Sequence, residues 1–89
     1  MGHGRMLFQE FIVSILNNYL MKFKILEANH NGKEFRIKED YPEVGSYLYV
    51  YEAGKCVEDH LQNDIEMCMQ MAFEDYEVPL DKWEMKDEN

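Results

Sequence analysis

The sequence predicts an α+β fold: an antiparallel four-stranded meander packed on a C-terminal helix, with an additional N-terminal helix, in the order α-β-β-β-β-α. Three observations predict it. From Met21 to Glu52 apolar and polar residues largely alternate in runs separated by glycine-containing turns, the pattern of half-buried strands. Residues 63–77 carry apolar side chains at helical spacing between an N-capping residue and Pro79. Eighty-nine residues, 46% hydrophobic and 13% aromatic, make one domain with a modest core.

The lead "MGHG" at residues 1–4 reads as a vector-derived remnant or a disordered start, and Met21 is a second candidate start. Residues 5–84 read as a single domain. Within it, 5–20 is a helix either joined to the core or apart from it, and 85–89 is a frayed acidic tail. Phe8, Phe11, Ile12, Ile15, Leu16 and Tyr19 form a broad apolar stripe on the N-terminal helix. Such a helix must bury most of its circumference.

Met21–Ala28 reads as the first strand, with Phe23 and Ile25 toward the core and Lys22, Lys24 and Leu26 on the other face. Phe35 and Ile37 mark the inward face of the second strand. A three-residue loop, His30-Asn31-Gly32, sets Ile25 opposite Ile37 and keeps the apolar sets together; a two-residue turn would set Ile25 beside Lys38. After "EDYPEVG", Tyr47–Glu52 is the third strand, Ala53-Gly54 a turn, and Lys55 to about His60 the fourth, with Val57 its inward candidate. Asn63 is the expected N-cap of the C-terminal helix, with Glu66 completing a capping box. Ile65, Cys68, Met69, Ala72, Phe73 and Tyr76 form its buried stripe, and "PLDKWEM" is a short turn or helical piece that tucks Leu80 and Trp83 against the body.

This arrangement leaves one sheet face with Lys22, Lys24, Arg36 and Lys38 interleaved with Tyr47, Tyr49 and Tyr51. Four readings fit it: a stacking platform for nucleic acid, a seat for the N-terminal helix, a homodimer interface, or an open wet face. The charge weighs against nucleic acid. Residues 1–51 hold six acids and six bases, whereas residues 52–89 hold twelve acids against three bases, the whole of the net charge of −9. A protein surface, internal or external, is the preferred reading.

Catalytic signatures are weak. On a regular strand Cys56 and His60 share a side but stand ~13 Å apart, too far for a nucleophile–base pair. Cys56, Glu58 and His60 lack the spacing of a structural zinc site. Paired carboxylates such as Glu74-Asp75 diverge in direction, and the five glycines form no phosphate loop. The chain calls for no metal and no cofactor. Two scattered cysteines and the lack of any ~20-residue apolar run predict a cytoplasmic protein with reduced thiols.

The segment Met21–Trp83, with "YPEVGSYLYVYEAGKC" followed by "FEDYEVPLDKW", resembles short orphan proteins of bacteria, of the kind carried on mobile gene cassettes or beside toxin genes as immunity proteins. The resemblance lies in size and style, carries over no functional residue, and implies a small non-enzymatic binder. The sequence therefore predicts a protein-binding or self-associating module without nucleic acid or membrane partners. It would act through Lys22, Lys24, Arg36, Lys38, Tyr47, Tyr49 and Tyr51 or through Phe8, Phe11 and Ile15. Two alternatives stand beside it. One is an immunity-type inhibitor of a basic toxin, using the acidic surface Asp64, Glu66, Glu74, Asp75 and Glu77. The other is an enzyme or binding protein with a small-molecule pocket between sheet and helix.

Overall fold

The computed structural model describes residues 23–86. Its fold is α+β: a five-stranded antiparallel sheet with one α-helix against one face. The strands are β1 (Ile25–His30), β2 (Lys33–Glu39), β3 (Ser46–Glu52), β4 (Lys55–Gln62) and β5 (Glu84–Lys86), and the helix is α1 (Ile65–Tyr76). Their order across the sheet is β4-β3-β2-β1-β5. The four-stranded meander thus gains a fifth strand, where a frayed tail was expected. Glu84, Met85 and Lys86 pair with Glu27, Leu26 and Ile25, because the chain returns past the helix to the free edge of β1. The expected lead, the N-terminal helix with Phe8, Phe11 and Ile15, Lys22, and residues 87–89 lie outside the described residues.

The β1–β2 turn corrects the expected register. It has two residues, Asn31 and Gly32, both with positive φ (53° and 78°), closed by the pair His30↔Lys33. This is the primed geometry whose twist matches that of paired strands. Ile25 therefore lies opposite Lys38, while Leu26 pairs with Ile37 and Ala28 with Phe35. The core face of β1 is Leu26 and Ala28, one residue out of phase with the expected Phe23 and Ile25. Phe23 instead stands edge-on to Tyr41, with ring centroids 4.9 Å apart.

Phe35, Ile37, Leu48 and Val50 are fully buried under Cys68 and Ala72 of the helix and Val78 after it. Each large apolar side chain so buried contributes about 1.5–3 kcal/mol. At one end of the core, Tyr76 and Trp83 stand edge-on to Phe35 at 5.2 and 6.4 Å. The helix begins one residue later than expected: Asp64, not Asn63, is the N-cap, its carboxylate accepting the Met67 amide proton at 2.9 Å. It ends with Glu77 in the left-handed region, before Pro79 and the 3-10 turn Leu80–Lys82.

Three inward assignments fail. Leu80, expected against the body beside Trp83, is 56% exposed. Phe73 is half exposed; at about 100° per residue it lies to one side of the Cys68–Ala72–Tyr76 stripe. Val57 is half exposed at a bulge where β4 shifts register against Val50 and Tyr51.

The bend between β2 and β3 closes on Gly45, which is buried with φ 116°. A Cβ there would overlap the backbone carbonyl of Gln62 at the end of β4. Gly45→Ala is therefore expected to cost about 2–3 kcal/mol, from the strained φ together with the forced backbone shift. Urea unfolding followed by Trp83 fluorescence measures this, and a variant within 0.5 kcal/mol of the parent contradicts the close approach.

Candidate functional site: the tyrosine face

Register and pleat place the residues of the open face in rows across the strands. One row is Ile25, Lys38, Tyr47 and Leu61; the next is Glu27, Arg36, Tyr49 and Asp59; the third is Asn29, Glu34, Tyr51 and Cys56. Glu84 and Lys86 of β5 extend the rows of Glu27 and Ile25. Among the described residues no element crosses this face, since the helix lies on the other.

The three tyrosines form a ladder along β3. Tyr47 and Tyr49 stack with centroids 5.9 Å apart at 19°, and Tyr49 and Tyr51 are tilted at 6.4 Å. Each ring is half-buried by its neighbours, which holds it upright on the sheet. The Arg36 guanidinium lies 5.5 Å from the Tyr51 ring centre and reaches the Glu27 carboxylate at 3.1 Å through both Nε and an Nη. Partial burial pushes the Tyr49 phenol above its ordinary range, helped by the neighbouring phenols and Asp59, so Tyr49 is uncharged at neutral pH. Flanking Tyr51, a polar recess of about 150 Å³ is lined by Glu27, Asn29, Glu34 and Arg36, among others.

Arg36, Lys38, Tyr47, Tyr49 and Tyr51 thus share one surface. Lys24 does not: its pleat phase is that of Leu26, and its backbone is tied to Glu39 by N–H to carboxylate (2.9 Å) and by the carbonyl accepting the Glu39 amide proton (3.0 Å). The face is also less basic than expected, because Glu27, Glu34, Asp59 and Glu84 lie on it with Arg36, Lys38 and Lys86. The register shift that moved Leu26 inward brought Ile25 and Glu27 outward. Asn-Gly, the strongest short hairpin signal, carried that information in the sequence.

The other candidate groups are dispersed. The bulge in β4 leaves Cys56 in register with Tyr51, on the open face, while Glu58 and His60 pair with Val50 and Leu48 on the helix side. Cys56 and His60 are therefore on opposite faces, not on the same one. Among the described residues no three His, Cys, Asp or Glu side chains cluster as a metal site. The space between sheet and helix is filled by Phe35, Ile37, Leu48, Val50, Cys68, Ala72 and Val78. Among the described residues no helix is long and apolar enough to cross a membrane.

On the helix side His60 Nε2 meets Glu58 Oε1 at 2.9 Å, and Tyr76 hydrogen-bonds the same carboxylate. The Tyr76 bond, then that of His60, holds Glu58 below the ordinary carboxylate range; burial, then Glu58 itself, pushes the Tyr76 phenol up to about 12. This polar cluster lies where the C-terminal end of the helix faces edge strand β4.

No protein family, characterised protein or solved structure matches this chain.

Two measurements check the electrostatics. Burial pushes the Cys68 thiol up to about 11, whereas Cys56 is exposed. An aromatic disulfide reagent at pH 8 is expected to label one thiol per folded chain, at Cys56, and the second only on unfolding. Glu58 is a depressed carboxylate, so its contribution to stability is present above its unfolded pKa and lost as pH falls through its lower folded pKa. Tyr76→Phe should move the Glu58 titration midpoint upward in a carboxyl-carbon NMR titration, and an unchanged midpoint contradicts the contact.

Proposed function

We propose that this chain is a small, non-enzymatic protein-interaction module that associates with a second copy of itself through the tyrosine face. One observation carries this reading: a ladder of three mutually packed tyrosines, flanked by Leu61 at 52% exposure and by Arg36, faces away from the core with no described element over it. Tyrosine and arginine bring large contact area at low entropic cost and are favoured in interfaces. The charges also support self-recognition. Arg36, Tyr49 and Asp59 occupy one cross-strand row, cation and anion on either side of β3. A two-fold axis along β3 lays the ladder on the partner's ladder and sets Arg36 over the partner's Asp59, so the surface is complementary to itself.

A second reading draws on the opposite side of the molecule. Residues 63–82 hold six acids against one base, and among the described residues none of those six carboxylates is in an ion pair. Such a surface fits a basic protein partner, as an immunity-type inhibitor of a basic toxin would require.

Sedimentation of the full chain tests self-association. The parent is expected to dimerise, Tyr49→Ala and Asp59→Arg each to weaken the dimer at least ~10-fold, about 1.4 kcal/mol, and the exchange Arg36→Asp with Asp59→Arg to recover most of the loss. A parent that stays monomeric at millimolar concentration, or an exchange no better than Asp59→Arg alone, contradicts the two-fold packing.

A further inference from the structure

Beside α1 runs an open groove of about 360 Å³, lined by Glu66, Met69 and Gln70 of the helix and by Leu80 of the 3-10 turn. At 100° per residue, Glu66, Met69, Gln70 and Phe73 fall on one side of the helix within about 100° of arc, so Phe73 continues the groove wall one turn beyond Met69. Phe73 is 50% and Leu80 56% exposed. Leu80 of the groove lining and Phe73, one helical turn beyond Met69, both stand half in water and mark a contact surface more than a solubilising one. Glu66 lines the groove, and the same stretch of chain carries Glu74, Glu77 and Asp81, all exposed.

We propose that this groove seats a basic amphipathic segment of a protein partner, with apolar side chains against Phe73 and Leu80 and Lys or Arg on the exposed carboxylates. The inference rests on the second reading above, that the acidic surface meets a basic partner, and adds where that partner is anchored and by what chemistry. Charge complementarity selects the partner's sign. Six acids against one base in residues 63–82 repel an acidic or phosphorylated segment and draw in a cationic one. The apolar pair selects its amphipathicity: a purely cationic strand would leave Phe73 and Leu80 in water, whereas a helix or extended segment with leucine-like anchors covers them. The groove is open along the helix and shallow, which suits the side-chain row of an incoming segment better than an enclosed small ligand. Gln70, which donates to Glu74 at 2.8 Å, adds a polar group to the groove lining.

The test uses the full chain and three synthetic fourteen-residue peptides: leucine and lysine at amphipathic helical spacing, the same pattern with glutamate for lysine, and lysine alone. Trp83, the single tryptophan, lies three residues beyond Leu80 and reports binding by fluorescence, while backbone NMR shifts locate it. The leucine–lysine peptide is expected to bind at least ~10-fold more tightly than either control, with affinity falling as salt rises and shifts centred on Glu66–Phe73 and Leu80. The double variant Phe73→Ser with Leu80→Ser is expected to lose at least ~10-fold in affinity. Both side chains are half exposed, and Met69→Gln serves as an independent groove variant where the double variant is destabilised. Lysine alone binding as tightly as the amphipathic peptide overturns the groove but leaves the acidic surface as a basic-partner site. Binding by neither cationic peptide overturns both. Shifts on the tyrosine face, or cross-links in the free protein from residues 1–22 to Phe73, overturn the groove as a partner site.

Discussion

A two-residue turn at Asn31-Gly32 sets which side of β1 is wet. Because side chains alternate along a strand, a shift of one residue in that turn exchanges Leu26 and Ala28 for Ile25 and Glu27 on the buried face. Positive φ at both turn residues selects the tight turn, and the tight turn aligns Leu26 with Ile37 and Ala28 with Phe35. The helix can then seat Cys68 and Ala72, its smallest inward residues, close over Phe35, Ile37, Leu48 and Val50. The β1 part of the open face is the complement of that choice: Glu27 stands beside Arg36 because the turn has two residues rather than three. The tyrosine ladder and the row from Arg36 to Asp59 are set by the pairing of β2, β3 and β4.

The molecule thereby presents two unlike surfaces on opposite sides of one thin core. One is flat, aromatic and mixed in charge, built on strands whose main chain is held by the sheet. The other is a groove with acidic and apolar side chains, built on a single helix and the turn after it. The first suits self-recognition, since cation and anion occupy the same row on either side of β3. The second suits a partner of opposite sign, since the carboxylates there have no described cationic neighbour. The polar cluster of Glu58, His60 and Tyr76 lies where the helix faces the sheet's edge, and Tyr76 also contacts Phe35 in the core.

Composition and spacing made the class of fold legible, because period-two alternation and helical spacing are local signals. The alternation of Tyr47, Tyr49 and Tyr51 against Leu48 and Val50 placed three rings on one face with no need of tertiary information. Helix boundaries read from Asn63 and Pro79 came within a residue of those observed. The membership of Phe73 in the core was misread, because a stripe on a helical wheel shows which side is apolar but not how wide a contact the facing sheet allows. The sidedness of Cys56 and His60 was misread because a bulge, which adds one residue to one strand only, leaves no mark in a period-two pattern.

What the chain's order of residues determined by itself was an α+β domain with a tyrosine-bearing strand, an acidic C-terminal half and a turn at Asn-Gly, since each of these follows from neighbours within a few positions. Tertiary structure alone decided the bulge in β4, the return of Glu84–Lys86 to the sheet edge and the exposure of Phe73 and Leu80. Those features depend on how one element fits against another, and no local pattern records it.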